Sequence, residues 1–157
     1  MKKFILAAPT MLILTFAVGA TARAQEPANP VQFHLSCNIP SGQSQCSAQV
    51  SLPPGKRIVL ETVSASASAP PPQQISLSIS TTSATLPSGS AVASHFVVLT
   101  PTPGPVMSLY FANHRIRMYG QAGSIVSIHG QRLNMPNQPL YPGVVNFWVS
   151  LSGYLLP

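Results

Sequence analysis

The sequence predicts an all-β fold, an antiparallel β-sandwich of jelly-roll-like or Greek-key type. Three observations carry that expectation. Apolar residues recur with a period of two almost everywhere after residue 30, no stretch there holds a 3.6-residue apolar period, and Pro/Gly turns interrupt the chain about every dozen residues. With 17 Pro and 10 Gly in 157 residues, the punctuation suits eight or nine short strands. Short strands at regular spacing close most simply as two packed sheets.

Residues 1–24 read as a secretory signal peptide rather than as part of the fold. Lys2 and Lys3 precede the apolar run FILAAPTMLILTFAVGA (4–20), and ATA and ARA supply small residues for cleavage after Ala24. An uncleaved anchor is the alternative, disfavoured by Pro9 inside the run and by the A-x-A sequence that follows it. QEPANP (25–30) reads as a flexible leader, and 31–157 as a single β-sandwich domain. Cleavage of 24 residues from 157 leaves 133, enough for one real core.

VQFHLS (31–36) alternates Val31, Phe33 and Leu35 with Gln32, His34 and Ser36. Cys37 and Cys46 then flank the turn residues Pro40, Ser41 and Gly42. Two lone cysteines nine positions apart in an exported chain predict a disulfide, which in the chain-entropy model stabilises the fold by roughly 2–3 kcal/mol. SAQVSL (47–52) is the next strand, and PPG (53–55) turns it into the long run KRIVLETVSASAS (56–68). QISLSIST (74–81) places Ile75, Leu77 and Ile79 on one face, and LPSGS turns the chain into AVASHFVVLT (91–100). VMSLYFANHRIRMYG (106–120) is expected as two short strands around Asn113 and His114. GSIVSIHGQRL (123–133), a long loop (134–143) and VVNFWVSLSGYLLP (144–157) complete the chain.

Charge removes several function classes. Lys2, Lys3 and Arg23 leave with the signal, so Lys+Arg falls from 8 to 5 against Glu26 and Glu61, a net +3. Five scattered cations without a Lys/Arg run exclude a nucleic-acid patch. With no Asp, and Glu26 in the leader, the fixed carboxylate pair of a glycosidase and the oxygen cage of a Ca²⁺ site are both missing. Serines abound, but no G-x-S-x-G turn marks a nucleophile. His34, His95, His114 and His129 fall on different strands without metal-ligand spacing. The chain is therefore expected to be neither an enzyme nor a holder of a metal or other cofactor.

Binding is the better idea. In VVNFWVSLSGYLL, alternation puts Val145, Phe147, Val149 and Leu151 on a core face and Asn146, Trp148, Ser150, Ser152 and Tyr154 on the other. In RIRMY, Ile116 and Met118 face one way, Arg115, Arg117 and Tyr119 the other. If the two outward faces adjoin, Trp148, Tyr154, Tyr119, Arg117 and Arg115 form an aromatic and guanidinium platform for stacking on sugars or docking a partner chain. A glycan or an envelope protein is the expected partner, with no membrane span after cleavage and a periplasmic or secreted location. The alternative from another class is a structural subunit assembling by strand addition, as pilins do, on the faint cue of Gly143 and Tyr154 near the C-terminus. A metal-binding or hydrolytic periplasmic protein is a weaker alternative.

RIVLETVS (57–64) carries Glu61 within an apolar run. Strict alternation puts Ile58 and Leu60 on one side and Val59 and Val63 beside Glu61, as in an inner strand covered on both faces. An unpaired carboxylate there would be costly, so Glu61 is expected to pair with Arg115 or Arg117 as a structural link.

PPGKRIVLETVS (53–64), RIRMYGQAGSIVSI (115–128) and VSLSGYLL (149–156) together resemble uncharacterised small secreted β-sandwich proteins of Gram-negative bacteria. The resemblance implies a single exported β-domain and no particular activity. Gln121 stands where that pattern has an acidic residue, so no acid-dependent role at that turn carries over.

Overall fold

The computed structural model describes residues 29–82, 91–133 and 143–157. Period-two patterning folds them into nine strands: β1 (Asn29–Ile39), β2 (Gln45–Ser51), β3 (Arg57–Ala69), β4 (Gln74–Thr82), β5 (Ala91–Val97), β6 (Thr100–Thr102), β7 (Ser108–Gly120), β8 (Ile125–Leu133) and β9 (Val145–Leu156). They form a five-stranded sheet, β1-β9-β3-β7-β6, packed on a four-stranded sheet, β2-β8-β4-β5, with every pairing antiparallel. The pairs β1/β9, β2/β8, β3/β7 and β4/β5 nest one inside the next, and the chain crosses between sheets after β1, β2, β3, β5, β7 and β8. That winding is a jelly roll, the first of the two expected sandwich types.

Inward-facing aliphatic residues fill the space between the sheets. Phe147 is 0 % exposed at the centre, with Ile39, Ile58, Leu60, Leu77, Ile79, Ile128 and Leu151 around it. The ring sits where β8 has no side chain: a Cβ on Gly130 would lie 2.5 Å from Phe147 Cε2. Thr81, fully buried on β4, donates its hydroxyl proton to the Tyr119 carbonyl of the other sheet at 3.0 Å.

Several boundaries differ from the sequence reading, each for a local reason. Asn29 and Pro30, assigned to the leader, extend β1 by pairing with Leu155 and Tyr154; the signal peptide and residues 25–28 lie outside the described residues. β7 is one 13-residue strand rather than two. Asn113 points outward and its Oδ1 accepts a hydrogen bond from Ser64 Oγ at 3.4 Å, while His114 points inward with Nε2 3.2 Å from the Val98 carbonyl. Both polar side chains are partnered, so the ladder runs through them. The run 91–100 breaks at Val98–Leu99, where the chain leaves the four-stranded sheet as β5 and joins the five-stranded one as β6. No helix among the described residues is long and apolar enough to cross a membrane.

Two devices close the side of the sandwich where β1 and β2 are the edge strands. Cys37 on β1 and Cys46 on β2 form a disulfide, which joins the two sheets rather than closing a loop within one. Arg132, only 5 % exposed, reaches from β8 to donate through Nη2 to the carbonyls of Ile39 (2.8 Å), Pro40 (3.3 Å) and Gly143 (2.6 Å). Its own N–H donates to the Ser44 carbonyl at 2.8 Å. Burial lowers the guanidinium pKa from its ordinary value.

Candidate functional site

The outward face of the five-stranded sheet is built around the small residues of β3. Ser66 is opposite Trp148 of β9 on one side and Phe111 of β7 on the other. The two aromatic residues therefore stand about 10 Å apart, two strand spacings, with only a serine between them. Both are half exposed, 50 % for Trp148 and 51 % for Phe111, and Trp148 is the only tryptophan in the chain. The result is a slot with aromatic walls and a hydroxyl floor, part of a hollow of about 750 Å³ that also takes in His34, Ser64, Asn113 and Ser150. The His34 ring is held by Ser150, Nδ1 to Oγ at 2.8 Å.

A second aromatic row lies at the far end of the same face. Tyr154 of β9 and Tyr119 of β7 flank Val59 of β3. The Arg117 guanidinium carbon sits 5.8 Å from the Tyr119 ring centroid. Arg115 is opposite Thr62, whose hydroxyl bonds to that of Ser152. The expected platform residues thus do share one face, but they divide between two rows. Trp148 is six residues from Tyr154 along β9, about 20 Å. Phe111 was absent from the sequence reading, although SLYFANHRIRMY already placed it in phase with Arg115, Arg117 and Tyr119.

Glu61 lies between the rows, and its surroundings correct the expectation of a strand covered on both sides. β3 shifts register between Leu60 and Thr62 against both neighbours. Glu61 is the extra residue relative to β9, so alternation restarts there: Ile58 and Leu60 face inward before it, Val63 and Ala65 after it. Val63 is therefore a core residue and Glu61 is exposed. Gly153 makes the irregularity possible, because a Cβ there would overlap the Val59 carbonyl. β3, β7 and β9 are the adjacent strands that meet at this bulge. Glu61 shares a hollow of about 380 Å³ with Thr62, Arg115 and Ile116, and no closed ion pair joins it to either arginine among the described residues.

The outward face of the four-stranded sheet offers a contrast. Ser47, Gln49, Ser76, Ser78 and Gln131 cover it, with His129 Nε2 3.4 Å from Ser80 Oγ and Phe96 as an isolated exposed aromatic. His95 and His114 are elsewhere, edge to face between the sheets with centroids 6.0 Å apart. Among the described residues no three His, Cys, Asp or Glu side chains gather where they could hold a metal ion. No protein-family model matches the chain, and a comparison with curated proteins found no match.

Proposed function

We propose that this chain is an exported, non-enzymatic binding protein, envelope-associated or secreted, that takes its ligand on the outward face of the five-stranded sheet. The observation that carries the reading is the Trp148–Ser66–Phe111 slot. Two large aromatic side chains stand half exposed on interior strands, where burial in the core was open to neither of them, and a small residue keeps the gap between them clear. The signal-like N-terminus, the disulfide and the resemblance to secreted β-sandwich proteins support an oxidising compartment, the periplasm or beyond. A glycan or an envelope protein is the class of ligand such a face suits. Within it, Glu61 and Arg115 form a loose, solvent-screened pair across their shared hollow.

A glycan array probed with the exported protein tests this reading. Binding should be lost in the Trp148→Ala/Phe111→Ala double variant while its melting temperature stays close to that of the parent. Retained binding by that variant, or an array without signal, contradicts it.

A further inference from the structure

The ligand-binding reading leaves the chemistry of the ligand open, and the distribution of charge narrows it. After signal cleavage five cations remain, and four of them, Lys56, Arg57, Arg115 and Arg117, lie where β3 begins and β7 ends, two adjacent stretches of the same sheet. Arg57, Arg115 and Arg117 are exposed and point outward with Tyr119. Arg57 donates to the C-terminal Pro157 carbonyl at 3.3 Å, and Arg117 lies over Tyr119. The one side-chain carboxylate described on this face is Glu61. The Trp148–Phe111 slot, in contrast, is bordered by hydroxyls, an amide and the His34 imidazole.

We propose that the ligand is a linear acidic polysaccharide lying along β3, with a sugar ring between Trp148 and Phe111 and its acid groups on Arg115, Arg117 and Arg57. The inference rests on the binding reading above and adds the ligand class. Three features argue for it. The aromatic rows are about 20 Å apart, more than one ring can bridge, so an extended chain is needed to use both. Between them run Ser64, Thr62, Ser150, Ser152 and Asn113, donors and acceptors suited to sugar hydroxyls. The guanidinium groups provide planar forks for carboxylate or sulfate. At the slot itself an extended peptide finds no free main-chain edge, because β9 and β3 are laddered on both sides and β6 pairs with Leu109–Phe111 of β7. Beyond Phe111 the outer edge of β7 has no strand partner among the described residues, so the peptide arm of the titration decides between the two ligands. An oligonucleotide would also satisfy stacking and charge, and the titration below separates it from a saccharide.

The sole tryptophan lies in the slot, so its fluorescence reports occupancy directly. The exported protein is titrated with oligogalacturonate and with its methyl ester, the same chain without charge, and in parallel with dextran sulfate and dextran. A proline-rich peptide and a single-stranded oligonucleotide complete the set. The proposal expects at least one acidic saccharide to shift Trp148 emission about tenfold more tightly than its neutral twin, with that advantage lost in Arg115→Gln/Arg117→Gln and at high salt. Far-ultraviolet circular dichroism confirms that the double variant is folded. Equal affinity for acidic and neutral twins overturns the acidic assignment and leaves the binding site standing. Tighter binding of peptide or oligonucleotide overturns the saccharide assignment. No response of Trp148 to any probe overturns both.

Discussion

Arginine serves two different ends in this molecule, and the contrast separates architecture from candidate function. Arg132 is buried at the disulfide-bearing side, where its guanidinium spans carbonyls from the β1–β2 connection and from the approach to β9. Arg115 and Arg117 stand in solvent on the outer face of the five-stranded sheet, one beside an exposed carboxylate and the other over a tyrosine ring. The desolvation cost of Arg132 is offset by its hydrogen bonds to backbone carbonyls, among them the buried carbonyl of Ile39. The outer arginines meet no such demand. Fold stability therefore depends on the first site, and the second is left to act on a ligand.

That division is open to breakage in order of expected effect. Arg132→Met should lower unfolding free energy by roughly 2–3 kcal/mol in urea titration, since it removes three hydrogen bonds and leaves the buried Ile39 carbonyl without this donor, whereas Arg115→Met should leave the midpoint nearly unmoved. Comparable losses at both positions would erase the distinction. Reducing the disulfide between Cys37 and Cys46 should cost about 2–3 kcal/mol, because the bond crosslinks the two sheets at their edge strands. Gly130→Ala should cost about 1–3 kcal/mol through overlap with the Phe147 ring, and much of that loss should return when Phe147→Leu is added. The smallest effect belongs to Glu61→Gln. Its unfolding free energy should change by about 0.5 kcal/mol or less, while affinity for an acidic saccharide rises. A large drop in melting temperature would instead return Glu61 to a structural role.

The sandwich was legible in the sequence because alternation and turn residues are local signals, and strands such as 74–81 and 144–156 carry them without interruption. The inward set Val145, Phe147, Val149 and Leu151 was read from period two alone, and all four are buried. What escaped was non-local. Alternation through RIVLETVS misassigned Val63, since the bulge at Glu61 exists only in relation to β7 and β9 and depends on Gly153, ninety-two residues further on. Glu61 drew attention as a rare acid in an apolar strand, whereas the buried charge is Arg132, in GSIVSIHGQRL, where nothing local marks it. Its partners come from segments that only the jelly-roll winding brings together. The platform was half legible: each strand's outward residues followed from alternation, but their division into two rows, and the pairing of Trp148 with Phe111 across Ser66, required the strand order β9-β3-β7.

Amide chemical-shift mapping of the isotopically labelled protein, titrated with oligogalacturonate, tests the central claim most directly. The account predicts perturbations confined to β9, β3 and β7, strongest around Trp148, Ser66, Phe111 and Arg115, with the Trp148 indole N–H among the largest. Shifts concentrated on β2, β8 and β4, or around Arg132 and the disulfide, would contradict it.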